Sequence, residues 1–540
     1  MGVTLMSPVS PGVCCGGHER GYDSGMRIAL LSTSDTDLLA ARASGADWTW
    51  ENPFRTPEID WAAVCADADL VVFRWLGSAA NLPEMWPTIR DCGKPLVVLG
   101  GEQVPEASLM ELSSVPVNVA AQAHLYLAQG GAENLRQVHA FLASTVLMDG
   151  VEFEPVTEQP EWGTLERPEQ PADPTDGARP RVGILFYRAQ WAAGNTDYVH
   201  ALADAVDDAG GVGVPVFVTS LRTPSDELLE HLKDYDALVT TVLAAGGTNP
   251  AQASAGGDDE AWDVAALAAL DVPILQALCL TWSRAEWAAS DDGARPLDVA
   301  TQVAVPEFDG RIIGVPISFK EVDDDGLPAY VPDHERCRRM GRMAVKHARL
   351  RSIPPRERRI AVVLGAYPTK HARIGNAVGL DTPVSTIRLL RAMRVAGYDI
   401  GEPGEIPGTG PIEPVEGEAE DTTRGNALMH GLIAAGGQDP EWLTEEQLTG
   451  QPVRIPASRY AEWFADLPEQ LREAMSEAWG EAPGEVFVTA EGQSESGERE
   501  IVAATLQAGN VVILIQPPRG FGENPIAIYH DPDIPPTHHY

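Results

Sequence analysis

Lysine and paired cysteine are what this chain has least of. Only 5 of its 39 basic residues are lysine, a skew better attributed to genome composition than to function. Its six cysteines are scattered with no CxxC pair, which fits a reducing compartment and argues against a disulfide framework or a structural zinc site. No apolar run approaches the roughly 20 residues that a membrane-spanning helix needs. Residues 1–25 lack the cationic start and apolar core of an export signal. A cytoplasmic location is therefore expected, with these residues as a disordered extension or an over-called start. Catalytic signatures are missing too. Without a GxxxxGK[ST] loop the chain should hold no Walker-type ATP site, and no GxGxxG follows a strand-like run to cradle a dinucleotide. Neither HExxH nor a GxSxG elbow occurs. A formal charge of −40 opposes binding to nucleic acid and to anionic membranes.

What is present is globular: 44% hydrophobic and 22% charged residues over 540 positions, enough for several cores at roughly 150 residues each. The expected fold class is α/β, as several doubly wound, flavodoxin-like domains with parallel sheets plus helical linkers. Apolar runs without polar alternation, Ile28 to Leu31, Leu70 to Leu76 and Leu96 to Leu99, suit strands covered on both faces and place domain I at 26–150. Residues 151–180 read as a linker, dense in proline and acid, with too little apolar surface to fold. Domain II, 181–331, repeats the pattern through Val182 to Tyr187, Val214 to Val218, Ala237 to Val242 and Ile274 to Leu278. Open sheets of this kind bind ligands beyond the carboxyl ends of their strands. There the domain places Tyr187, Arg188, Trp191 and Asn195, then Gly246 to Asn249, then Trp282 to Arg284.

The charge reverses over 333–373, which holds 12 Lys and Arg against three acidic residues. A basic helical linker, 332–355, carries most of them, either as a solvated face or as a landing surface for a polycarboxylate ligand or an acidic partner. A third α/β domain, 356–540, follows and is incomplete at its C-terminal end. It opens with strand Ile360 to Leu364, a loop with Gly375 and Gly379, and a helix from Pro383 to Ala396, an arrangement able to cradle an anion with help from Lys370 and Arg373. Its last strand, Val511 to Ile515, leads into QPPRGFGENPIAIYHDPDIPPTHHY at 516–540. Three of the 12 histidines fall in the last 11 residues, beside Asp531 and Asp533. Imidazoles with carboxylates are the ligands that first-row divalent cations prefer. Spacing leaves two readings open, a metal-handling segment and a proline-rich structural turn.

Longer segments carry a resemblance. RIGNAVGLDTP at 373–383, GFGENPIAIYHDPDIPPTHHY at 520–540, LFYRAQWAAGNTDYV at 185–199 and VAVPEFDGRIIGVPISFKE at 303–321 closely resemble the large subunit of the aerobic, ATP-dependent cobaltochelatase, in the family that unites CobN with the H-type subunits of magnesium chelatase. LSTSDTDLLAAR at 31–42 looks like that family's opening. The likeness spans about Met26 to Tyr540, which would be the N-terminal portion of a longer subunit, and its wording is closer to the cobalt enzyme than to the magnesium one.

The resemblance implies a ligase that forms nitrogen–metal bonds, inserting Co(II), the substrate metal, into hydrogenobyrinic acid a,c-diamide in cobalamin biosynthesis. Mg-ATP would be used by partner subunits, an AAA+ ATPase and a metal-site-type chelatase subunit of the CobS and CobT type, which agrees with the missing phosphate loop. The basic window would meet the carboxylates of the corrinoid. His530, His538 and His539 are the expected groups for metal handling or proton removal, with Glu523 as an alternative base. Arg373, Asn376 and Asp381 are expected to position substrate, and Arg519 to meet a substrate carboxylate. The chain by itself is expected to bind substrate rather than turn it over. The alternatives are a magnesium-protoporphyrin chelatase subunit of the H type and a truncated, non-catalytic tetrapyrrole or metal carrier.

Overall fold

The computed structural model describes residues 26–54, 59–102, 104–167, 179–243, 264–366, 374–375, 377–436, 443–494, 497–520, 528, 530–531 and 533–540. It forms two compact units, Met1–Arg351 and Ser352–Tyr540. In the first unit, β1 (Ile28–Ser32), β2 (Trp48–Glu51), β3 (Leu70–Trp75) and β4 (Leu96–Gly100) make a parallel sheet in the order β2-β1-β3-β4. Alternate side chains enter two different cores: Ile28 and Leu30 join helices Val117–Gln129 and Gly131–Thr145, while Ala29 and Leu31 meet Cys65, Trp86 and Ile89 on the opposite face. Burial on both sides is why these strands read as unbroken apolar runs.

A second sheet of the same unit contains β5 (Trp162–Thr164), β6 (Arg181–Tyr187), β7 (Val212–Val218), β8 (Ala237–Thr240), β9 (Ile274–Leu280), β10 (Ile312–Val322) and β11 (Pro328–Pro332), in the order β11-β10-β9-β8-β6-β7-β5. The five central strands are parallel, and β5 and β11 are antiparallel edges. The β9–β10 register shifts on either side of Pro316, where the backbone has no N–H to donate.

Two stretches differ from the sequence expectation. Part of the proposed linker, 151–167, is ordered and supplies β5, although its own side chains are mostly exposed. Buried side chains of the neighbouring helix hold its backbone instead. Asn134 donates to Thr157 O and accepts from Thr157 N–H, both at 2.9 Å, and Gln137 accepts from Glu154 N–H at 2.7 Å. The basic helix His334–Ser352 is more than a connection, because its stripe of Cys337, Met340, Ala344, Val345 and Ala348 completes the core on one face of the second sheet.

The second unit carries β12 (Ile360–Leu364), β13 (Arg454–Pro456), β14 (Glu500–Val502), β15 (Thr505–Ala508) and β16 (Val511–Ile515). Strands β12 and β16 pair in parallel, β15 adds to β16 antiparallel, and β13 pairs antiparallel with β14. The doubly wound pattern thus contracts here to one parallel pair. The two-residue turn Gly509–Asn510, with Gly509 at φ +53°, instead folds the last strands into a hairpin. Residues 457–479 form two helices, Ala457–Ala465 and Glu469–Trp479, because Pro468 disfavours helical geometry at the residue before it. Among the described residues no helix is long and apolar enough to cross a membrane.

Candidate functional site

Leu364 and Ile515 are register partners, so β12 and β16 end side by side. The segments 366–383 and 516–540 therefore leave one sheet edge from adjacent strands, the place where open α/β sheets gather ligands. Gln516 N–H donates to Leu364 O at 2.9 Å, Gly375 N–H donates to Gly365 O at 2.8 Å, and Ala366 bridges Ile374. Both segments are thus tied down close to the strand ends. Asp381 ends the first of them by accepting Val384 N–H at 3.1 Å, which caps helix Thr382–Val395. Arg373, Asn376 and Glu523 lie outside the described residues, as do Lys370 and Gly246 to Asn249.

The terminal segment folds back on itself. Arg519 donates to Ile534 O at 3.0 Å, Thr537 N–H donates to Arg519 O at 3.1 Å, and Trp479 Nε1–H donates to Pro535 O at 2.7 Å. In this arrangement the Arg519 guanidinium braces the loop. Gly520 is needed there, since a Cβ would lie 2.8 Å from both Trp479 and Ile528. His530 is exposed, whereas His538 is buried. His538 Nε2 sits 2.8 Å from Gly480 O, and because a carbonyl can only accept, Nε2 carries the proton. Nδ1 lies 2.9 Å from the Tyr460 hydroxyl, within hydrogen-bond distance, and burial holds that phenol protonated by pushing its pKa up to about 12. With both nitrogens engaged and its ring edge-on to Phe464 at 5.2 Å, His538 is positioned by the fold.

His539 packs against Phe487, ring centroids 4.9 Å apart. Burial first, and the charge of His538 second, lower its pKa to about 4, so the imidazole is neutral at neutral pH. His538 and His539 line a cavity of about 240 Å³ together with Trp479, Gly484 and Glu485. That space takes an ion or the edge of a ring but not a whole macrocycle, since pockets for drug-sized ligands run to roughly 300–1,000 Å³. Among the described residues no three His, Cys, Asp or Glu side chains come together as a metal-binding group. Tyr460, Trp479 and Glu485 were not singled out by sequence, and no local pattern marks them. They arrive from 50 to 80 residues upstream, on the helices that precede β14 and the turn after them.

Several of the other expected residues are engaged within the first unit. Trp191 stacks on Phe217 with centroids 4.1 Å apart, Asn195 accepts from Tyr330 N–H at 3.0 Å, and Arg284 pairs with Asp333 at 2.9 Å. Arg338, Arg339, Arg342 and Lys346 do form an exposed basic strip along helix His334–Ser352.

Repeated doubly wound α/β sheets, with imidazole, indole and carboxylate groups gathered beyond the carboxyl ends of parallel strands, define a multidomain α/β protein. More specifically, the chain belongs to the CobN/Magnesium Chelatase family, whose model matches residues 124–540. It is similar to the solved structure of the catalytic subunit of cobaltochelatase from Mycobacterium tuberculosis, with a TM-score of 0.70 and 50% identity over 95% of this chain and 41% of that one. It is 32% identical to aerobic cobaltochelatase subunit CobN of Pseudomonas aeruginosa over 85% of this chain and 35% of the relative. Against the H-type magnesium-chelatase subunit of Cereibacter sphaeroides it is 27% identical over 76% of this chain and 34% of the relative. The chain thus spans about a third of the length of these curated relatives.

Proposed function

We propose that this chain is the tetrapyrrole-binding part of a cobaltochelatase large subunit, which inserts Co(II) into hydrogenobyrinic acid a,c-diamide while partner subunits of the AAA+ and metal-site type hydrolyse ATP. The observation that carries the reading is the 50% identity over 95% of the chain to a cobaltochelatase catalytic subunit, against 27% to an H-type magnesium-chelatase subunit. The sheet edge fits the chemistry. Metal entry into a tetrapyrrole releases two pyrrolic protons, which need acceptors beside the ring, and imidazole is a side chain suited to that task. In this reading His539 and His530 take protons or hold the metal in transit. His538, already held by Tyr460 and Gly480, sets the orientation of its neighbour. Arg373, Asn376 and Asp381 position the substrate in this reading, Glu523 is the second base, and Arg519 keeps the loop in shape for a substrate carboxylate.

Spectroscopic titration with hydrogenobyrinic acid a,c-diamide and with protoporphyrin tests this. The chain should be measured alone and with a fragment covering the rest of a relative's length. The corrinoid is expected to bind at least about tenfold more tightly, a preference of roughly 1.4 kcal/mol. Equal affinity, or no binding in either format, would sink the cobalt reading. A preference for protoporphyrin would transfer the chain to the magnesium branch.

A further inference from the structure

The first unit holds another cavity, of about 230 Å³, between its two sheets. Strands β1 and β6 are the ones at which strand order reverses. From β1 the chain crosses to β2 on one side and then to β3 on the other, and from β6 it crosses to β7 and then to β8. The crevice at such a reversal is the preferred ligand position of an open α/β sheet. Here the two reversal points open onto the same space, with Asp37 and Arg74 on one wall and Tyr187 and Arg188 on the other.

The charges on these walls are not equivalent. Arg74 meets Asp37 at 2.6 Å and also donates to the carbonyls of Gly100, Gly101 and Leu127, while Asp37 accepts a further hydrogen bond from Ser32. That pair is self-contained. Arg188 is only 8% exposed, and among the described residues its bonds are two long ones to carbonyls, 3.3 Å to Ala128 O and 3.5 Å to Gln159 O. Among the described residues it has no carboxylate within ion-pair distance. Burial accordingly pushes its pKa down, and the more distant charge of Glu161 offsets only part of the fall, the mark of a cation that has lost water without gaining a close counter-ion. The amino end of helix Gly131–Thr145 reaches the same cavity through Gly130 and Gly131, and no side chain caps it. The positive end of that helix dipole therefore adds to the guanidinium. The result is one poorly compensated positive charge, sheltered within a chain of net charge −40.

We propose that this cavity binds a small carboxylate-bearing ligand, with the carboxylate seated on the Arg188 guanidinium. A planar, singly charged carboxylate matches the fork of an arginine and neutralises the single spare charge. A phosphate dianion would leave a second negative charge close to Asp37. The volume falls below the roughly 300 Å³ at which drug-sized ligand pockets begin, so the occupant is a small metabolite and the site is separate from any that holds a tetrapyrrole.

The test uses the full 540-residue chain, with acetate, succinate and benzoate as probes and phosphate or chloride at equal ionic strength as controls, read by calorimetric titration and thermal unfolding. At least one carboxylate is expected to bind saturably and raise Tm, while phosphate and chloride do not. Arg188→Gln should weaken that binding roughly tenfold to a hundredfold, the range for one charge-assisted pair, and Arg188→Lys should restore part of it. Ala192→Leu, which fills the cavity from a half-buried wall position and keeps Arg188, should abolish binding without lowering Tm in the absence of ligand; this variant decides the matter if Arg188→Gln does not fold. Carboxylate binding that survives in both variants, a wild-type chain that binds none of the three, or tighter binding of phosphate would each overturn the proposal.

Discussion

Gly341→Ala sets two effects of opposite sign against each other. Gly341 lies in the middle of helix His334–Ser352, where intrinsic propensity favours alanine over glycine by about 1 kcal/mol. Judged as a helix alone, the variant should be more stable. In the fold, however, Gly341 is buried, and a Cβ there would lie 2.6 Å from the carbonyl carbon and oxygen of Ala205 and 2.9 Å from the amide nitrogen of Val206. These are backbone atoms of helix Asp197–Asp208, so no rotamer change makes room and the helices must part by on the order of 1 Å to restore van der Waals contact. Parting them loosens Met340, Ala344 and Val345 against Leu202 and Val206 in the shared core. Overpacking of this kind costs about 1–3 kcal/mol, and more where backbone must move, so the net expectation is destabilisation by about 1–2 kcal/mol. In a unit of roughly 350 residues that lowers Tm by about 1–3 °C. Hydrogen exchange on peptides covering 197–208 and 334–352 localises the effect, and Arg342→Ala, on the exposed face of the same helix, should change little. A Gly341→Ala protein as stable as the parent, or more so, would refute the close packing of the basic helix against helix Asp197–Asp208.

Removing the cap with Asp381→Ala should cost about 1 kcal/mol and speed amide exchange in the first turn of helix Thr382–Val395, with Asp381→Asn recovering most of it. Weaker tetrapyrrole binding with unchanged exchange would instead make Asp381 a ligand-positioning residue. His539 predicts a pH dependence in the second unit. Because its pKa falls from the usual 6.5 to about 4 on folding, the unfolded chain takes up the proton first as pH drops. The stability it contributes is intact above about pH 6.5 and is lost toward pH 4, about 2 kcal/mol of it between pH 7 and pH 5. Local exchange stability of β14 to β16, compared at those two pH values, should fall less in His539→Phe than in the parent; equal falls would show that His539 is not held neutral by burial.

Much of the α/β architecture was legible because its signals are local. The runs at β1, β3, β4, β6 and β9 announce strands buried on both faces, and Asp381 followed by Thr382 and Pro383 marks a helix start. The ordering of 151–167 was not legible, since Asn134 and Gln137 supply it from a preceding helix and nothing within the segment records that. Strand β2 was not legible because WTWE is only partly buried.

The candidate sites divide the same way. Composition and motif order by themselves determined that this is an α/β member of a chelatase family with no Walker-type phosphate loop, because such features are written in consecutive residues. Tertiary structure alone decided that segments 366–383 and 516–540 leave one sheet edge, through the parallel pairing of β12 with β16 across nearly 150 residues. It also placed Tyr460 and Gly480 on the two ring nitrogens of His538. Finally, among the described residues it left Arg188 buried without a close counter-ion where two sheets meet. Whether an arginine is solvated, paired or waiting for a ligand depends on which distant groups surround it, and a linear pattern carries no record of those neighbours.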